Sequence, residues 1–217
     1  MPDWGEILAA PEMQRLRPNP EFLAALPVIK AGGGRLVLDA GCGAGRHLLP
    51  LAREGFEAWG VDREAGVLQV LQERLRASGT RAHLALADLG SLPFAAASFH
   101  LVVSIHVINH GDTRTFENYC RELDRVLLPE GHLFIYLSPR EAGEQVRLPQ
   151  TRELEPGTLV NIATPDGNLI HHFPTPAEIK GQFSAFRLLR GETLLAPIPF
   201  MGGKEMPQYV FWAQKPG

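Results

Sequence analysis

Cysteine is scarce in this chain: Cys42 and Cys120 are the only two in 217 residues. One falls in a glycine-rich stretch and the other on a predicted helix, so neither a disulfide framework nor a zinc site is expected, and a reducing compartment suits the sequence. An excess of basic residues is equally missing. With 21 Lys and Arg against 24 Asp and Glu, the chain offers no electrostatic footprint for a long polyanion, so a small-molecule substrate is expected and a nucleic-acid partner is not. No apolar run is long enough to span a bilayer, and the N-terminal stretch, which contains Asp3, holds no uninterrupted apolar segment. A cytoplasmic protein without a membrane partner is the expectation. Length and composition are those of one globular domain able to bury its own core.

What is present is an alternation of short β-rich runs with helical periodicity, the pattern of an α/β doubly wound fold with helices on both faces of a parallel sheet. After a proline-containing N-terminal cap segment (1–34), strands are predicted at Arg35–Asp39, Glu57–Val61, Ala82–Leu86, Phe99–Ile105 and His132–Leu137. One helix between them carries Val67, Leu68, Leu71 and Leu75 and stops at Ser78-Gly79; another carries Phe116, Tyr119, Leu123 and Val126 behind an Asp112 cap. The rhythm breaks after Ser138. Residues 139–174 read as an inserted lid with a hairpin turn at Pro165-Asp166-Gly167-Asn168. Residues 175–217 then complete the sheet, with a helix capped by Thr175 and strands near Arg187–Leu194 and Gln208–Ala213. The whole of 1–217 is read as a single domain with 35–138 as its cofactor-binding core.

The strongest motif is Asp39-Ala40-Gly41-Cys42-Gly43-Ala44-Gly45, between the first strand and the first helix of that core. Glycines there let the backbone turn sharply and let a ligand approach where a Cβ would collide. The spacing is Asp-x-Gly-x-Gly-x-Gly, whereas the pyrophosphate fingerprint is Gly-x-Gly-x-x-Gly with its helix N-terminus open to an anion. A negative Asp39 beside the loop favours a ligand carrying ammonium and sulfonium charges over a pyrophosphate, hence S-adenosylmethionine over NAD. Asp62 closes the second strand, where an acidic residue can accept from two ribose hydroxyls. Asp88 follows the third, within reach of an adenine amine, with Leu89 or Leu86 packing nearby.

These runs, with VLDAGCGAGRH (Val37–His47), GVD (Gly60–Asp62), ADLGSLPF (Ala87–Phe94), SFHLVVSIHVINH (Ser98–His110) and LDRVLLPEGHLFI (Leu123–Ile135), resemble the class I S-adenosylmethionine-dependent methyltransferases. The small-molecule group that includes ubiquinone/menaquinone-biosynthesis and tellurite-resistance-type enzymes is the most similar. The resemblance implies that Gly41, Gly43 and Gly45 line the methionine moiety, Asp62 holds the ribose and Asp88 the adenine, with Arg46, Arg63 and Ser104 as further cofactor contacts. It also implies a seven-stranded sheet whose last strand is antiparallel, with the active site at the carboxyl ends of the parallel strands. His100 departs from the pattern, since such enzymes usually carry an aspartate there.

Methyl transfer from a sulfonium is a displacement at carbon that chiefly needs in-line approach and exclusion of water. A base is needed only where the acceptor must lose a proton, and His106 and His110, after the fourth strand, are the candidates. Further substrate-facing candidates are His171 and His172 with Phe173 in the lid, the Met201–Met206 loop, and Trp4 and Arg15. The Asn/Asp-Pro-Pro-Tyr of amino-group DNA methyltransferases and the Pro-Cys of cytosine-carbon enzymes are both missing. Asp112 is the only carboxylate close after the fourth strand, and adjacent histidines on a strand point to opposite faces, so no metal is expected and one of His171 and His172 should face solvent. Arg74, Arg76 and Arg81 read as a solvated face. The alternatives are a protein or RNA methyltransferase, a non-catalytic S-adenosylmethionine-binding protein and, more remotely, a nicotinamide-dependent oxidoreductase.

Overall fold

The computed structural model describes residues 16–198 and 201–217. Along them run α1 (Pro20–Ala31), β1 (Leu36–Ala40), α2 (Leu48–Arg53), β2 (Glu57–Asp62), α3 (Ala65–Ser78), β3 (His83–Leu86), β4 (Phe99–Ile105), α4 (Thr113–Val126) and β5 (Leu127–Leu137). Then come α5 (Arg140–Gln145), β6 (Arg152–Glu155), β7 (Thr158–Val160), β8 (His171–His172), α6 (Pro176–Gln182), β9 (Arg187–Ile198) and β10 (Lys204–Gln214). Seven strands form one sheet in the order β3-β2-β1-β4-β5-β10-β9. The pairings β1–β2, β1–β4, β2–β3 and β4–β5 are parallel, while β10 runs antiparallel to both β5 and β9. This is the expected doubly wound sheet with an antiparallel last strand. The strands β6, β7 and β8 form a separate three-stranded sheet.

Alternate side chains of the central strands feed two cores, which is why β1 and β4 are apolar nearly throughout. Leu38, Val102 and Ile135 face α4 and α6, packing with Phe116, Leu123 and Ile179. Val37, Leu101, Val103 and Phe134 face α1, α2 and α3, packing with Phe22, Leu48, Leu51 and Leu71. A smaller cluster of Val146, Leu159, Ile162, Phe173, Ile198 and Met206 lies under the three-stranded sheet.

Several boundaries differ from those read in the sequence. The proline-containing segment contains α1, because Asn19 accepts from Phe22 N at 3.0 Å and Pro20 occupies a first-turn position where its missing N–H costs nothing. The strand expected from His132 begins at Leu127, which pairs with Phe99; the chain bulges at Pro129-Glu130-Gly131 and rejoins with His132 opposite Leu101. The stretch after Ser138 holds α5 and β6 as well as the expected hairpin. The caps at Asp112 and Thr175 and the left-handed stop at Gly79 match expectation.

Two glycines separate backbone strain from packing. Gly45 has φ 85° and an added Cβ would collide with Leu71 Cδ1, whereas Gly79 has φ 62° with nothing near its Cβ direction. Gly45→Ala should therefore cost about 2–4 kcal/mol, and Gly79→Ala only about 1 kcal/mol. Urea unfolding midpoints of the two variants check this difference.

Candidate active site

The carboxyl ends of β1, β2 and β4 and the turn after β3 open on one cavity, roofed by residues between Ile162 and Phe173. Its floor is the glycine loop. Gly41 N and Cys42 N both donate to Val61 O, at 2.8 and 2.9 Å. Gly43 N donates to Asp62 Oδ2 at 2.9 Å and Glu64 N to Asp62 Oδ1 at 3.0 Å. Asp62 thus ties the loop to the end of β2 and still faces the cavity. Gly41 has φ 81°, and a Cβ there would strike the Val107 side chain from the end of β4, so the loop lies flat only because that residue is glycine.

Of the cofactor contacts expected from the sequence, Gly41, Gly43, Arg46, Asp62, Arg63, Asp88 and Leu89 line this cavity. Asp88 Oδ1 accepts from Gly90 N at 2.7 Å, and the Tyr119 hydroxyl meets both Asp88 and Arg63. Three expected contacts lie elsewhere. Gly45 packs against Leu71. Ser104 is buried within β4, its Oγ without a hydrogen-bond partner among the described residues. Asp39 sits beneath the loop, 2% exposed, outside the cavity wall. Burial pushes its carboxyl up to about 7, opposed by Arg46 and reinforced by Asp62. The full negative charge expected of Asp39 is therefore only partly present at neutral pH. Leu86 is 61% exposed at the sheet edge, which leaves Leu89 as the apolar contact. His100, the departure from the family pattern, accepts from Leu36 N through Nδ1 at 3.3 Å.

Both expected catalytic histidines line the cavity. His106 follows β4 with φ 58°, a left-handed conformation that a side chain rarely adopts; burial and Arg46 push its imidazole down to about 3. His110 is also lowered, by burial first, opposed by the hydrogen bond it donates to Asp166. Its Nε2 lies 3.3 Å from Asp166 Oδ2, and His171 Nε2 lies 2.7 Å from the same oxygen.

The roof corrects several expectations. Neither His171 nor His172 faces solvent, at 3% and 1% exposure. They do point to opposite faces: His171 to the cavity, His172 inward against Phe116, with Nδ1 2.9 Å from Thr158 Oγ1. Met206 is buried in the small core behind the roof rather than in the cavity wall. Arg74 is no mere solvated residue, because it lines the cavity and donates to Ala44 O in the glycine loop. Trp4 and Arg15 lie outside the described residues. Sequence reasoning missed Tyr119, Asn109, Thr164 and Asp166, all in the wall. Tyr119 was visible only as a core position on a helix, and Asp166 only as a turn residue, which carries no sign of pointing inward.

Residues 37–131 match the family model described as a methyltransferase domain. The methyltransferase GfsG of Streptomyces halstedii is 36% identical over 110 residues, covering 49% of this chain and 39% of that protein. The tRNA U34 carboxymethyltransferase of Photorhabdus laumondii is 34% identical over 113 residues, 51% of this chain and 34% of that protein. The chain therefore matches well under half the length of either relative. Among solved structures, a S-adenosylmethionine-dependent methyltransferase from Methanosarcina mazei superposes with a TM-score of 0.74 at 21% identity, covering 93% of this chain and 99% of that one. The glycine loop, Asp62 and Asp88 all fall inside the stretch that is similar to a methyltransferase domain, and the fold is shared with the structure from Methanosarcina mazei.

Proposed function

We propose that this protein transfers the methyl group of S-adenosylmethionine to a small-molecule acceptor held under the roof of residues 139–174. The observation that carries this reading is the placement of Asp62 and Asp88, at successive strand ends, in the same cavity wall as Gly41 and Gly43. The residues fit the cofactor. An ionised carboxylate accepts about four hydrogen bonds, and Asp62 uses two on backbone N–H groups, so two acceptor positions remain for ribose hydroxyls. Asp88 can accept from the adenine amine, Leu89 can cover its ring, and half-buried Arg46 can meet the carboxylate of the methionine end. When bound, the cofactor supplies an electrophilic methyl group on a sulfonium.

The chain's own residues then position the acceptor and exclude water. Asn109 Oδ1 and Thr164 Oγ1 lie in the wall, buried and without a hydrogen-bond partner among the described residues, and a polar group on the acceptor satisfies them. Where the acceptor must lose a proton, we assign the role to His110, whose Nε2 is set beside a carboxylate. His106, desolvated and left-handed, is assigned to shaping the end of β4. The mostly apolar lining of the roofed cavity favours a small acceptor over RNA; the tRNA-modifying relative makes RNA the reading to test against it.

Calorimetric titration with S-adenosylmethionine, S-adenosylhomocysteine and NAD tests the cofactor site. We expect both sulfur ligands to bind and NAD not to. Asp62→Ala should weaken binding by about 3–6 kcal/mol, the loss of two hydrogen bonds to a charged group, with melting curves confirming that the variant folds. NAD binding without sulfur-ligand binding would overturn the reading.

Asp39 gives a second test. Its carboxyl, held up to about 7, faces Arg46, Asp62 and Cys42. A cationic ligand above it favours the ionised form, so binding lowers its pKa and releases a proton. Affinity for S-adenosylmethionine should then rise with pH up to about 7–8 and level off above. In Asp39→Asn this rise should vanish. The apo protein reports the same group with opposite sign. The native state keeps a proton that the unfolded chain gives up, so stability falls from pH 4 to 7, and Asp39→Asn should not show that fall.

A further inference from the structure

We infer that His110, Asp166 and His171 form a binding site for a divalent first-row transition metal at the roof of the cavity. The three donor atoms lie within 4.8 Å of one another, His110 and His171 both presenting Nε2 to Asp166 Oδ2 at 3.3 and 2.7 Å. Two imidazoles and a carboxylate suit zinc or iron(II), and three protein ligands leave coordination positions open. A tetrahedral zinc site separates neighbouring N and O donors by roughly 3.3 Å. The His110 spacing already has that value, and the His171 spacing must open by roughly half an ångström.

The scaffold is built to hold these side chains in place. His110 and His171 face each other across an antiparallel bridge, flanked by Gly111 N donating to Ile170 O at 2.9 Å and His172 N to Asn109 O at 2.8 Å. On its other side His171 pairs with Leu159 of β7. The loop bearing Asp166 is closed by Ile162 N donating to Gly167 O and Leu169 N to Asp166 O, both at 2.9 Å.

The tautomer of His171 points the same way. Its Nδ1 lies 3.1 Å from the Leu169 carbonyl oxygen, which can only accept, so Nδ1 carries the hydrogen. In the neutral ring Nε2 then directs a lone pair at Asp166 Oδ2, another acceptor. Two acceptors at 2.7 Å require positive charge between or beside them, either a proton or a metal ion. A backbone carbonyl fixing the far nitrogen is the usual outer-shell support of a metal-ligating histidine.

The proposed site departs from the sequence-based expectation of no metal, which took Asp112 as the nearest carboxylate. Asp112 instead caps α4, accepting from Thr115 N at 2.8 Å, and the fold supplies Asp166 from a distant turn. Metal binding itself does not depend on methyl transfer. Only its use does: on that reading, the open positions face the cavity and take an oxygen of the acceptor, so that the metal rather than His110 lowers the proton affinity of that oxygen.

The test uses the whole chain, stripped with EDTA and dialysed. Zinc is titrated by calorimetry and cobalt(II) by its visible absorption, both without S-adenosylmethionine, so the outcome is separate from that of the cofactor titration. We expect one ion per chain. His171→Ala and Asp166→Asn should each weaken zinc on the order of tenfold or more and abolish the cobalt bands, while His83→Ala, on the exposed edge strand, leaves both unchanged. Zinc should also raise the melting temperature of the wild type but not of Asp166→Asn, a near-isosteric change chosen to keep the fold. Failure of the wild type to take up one ion, or uptake undiminished in both ligand variants, would overturn the metal site and leave a protonated His–Asp pair in its place.

Discussion

The site depends on one clamp, the attachment of the glycine loop to the end of β2. Gly41 N and Cys42 N share Val61 O, and Gly43 N reaches Asp62 Oδ2. Three consecutive loop amides are thereby satisfied by one neighbouring strand, which a buried loop requires if it is not to strand its polar groups. This geometry brings Asp62 to the cavity floor with capacity left over. It also commits the loop to lie flat under Val107, which ties glycine at position 41 to the turn just past β4. The parallel pairing of β1 with both β2 and β4 sets the three strand ends side by side, and it does so because both faces of those strands are buried.

That arrangement explains which parts of the structure were legible in the sequence. Local rules with strong physical signatures transferred well: apolar runs for strands buried on both faces, glycine spacing for the loop, and Asp112 and Thr175 as caps. Carboxylates at strand ends were legible too, since a strand end in this fold is a defined place. What failed was position relative to distant residues. Asp39 has the spacing of a ligand contact, yet the loop above it covers it. Arg74 has the look of a solvated helix residue, yet its length lets it reach the Ala44 carbonyl. The roof was least legible. Its strands are short, it is joined to the main body by a bridge between His171 and distant His110 in addition to its own hairpin pairing, and nothing about Asp166 in a Pro-Asp-Gly turn distinguishes an inward from an outward side chain.

The charges of the cavity divide between floor and roof. The floor holds Asp62 and Asp88 opposite Arg46 and Arg63, with Asp39 held near its titration point below. In the roof Asp166 is the acidic member of the histidine cluster. Burial alone would push its carboxyl up, but the hydrogen bonds from His110 and His171 outweigh that and hold it well below the ordinary carboxylate range. A buried carboxylate kept ionised needs positive charge beside it, so the roof is a place where charge is demanded rather than merely tolerated. This asymmetry suits a cavity in which one end grips a ligand of mixed charge and the other orients an uncharged or weakly acidic one.

A single segment joins the two ends. Between Ile105 and Gly111 the chain ends β4, turns left-handed at His106, places Val107 over Gly41, returns His110 N to Val107 O at 3.0 Å, and bonds through Asn109 and Gly111 to the strand that carries His171. Floor and roof therefore share one strut of seven residues. The left-handed turn at His106, costly by about 1–3 kcal/mol for a residue with a side chain, is what redirects the strut from the sheet toward the roof. A β-branched or bulky residue would resist that turn more strongly than histidine does. The strain at His106 thus has an architectural role, because without the turn Val107 and His110 could not at once press on the glycine loop and face Asp166.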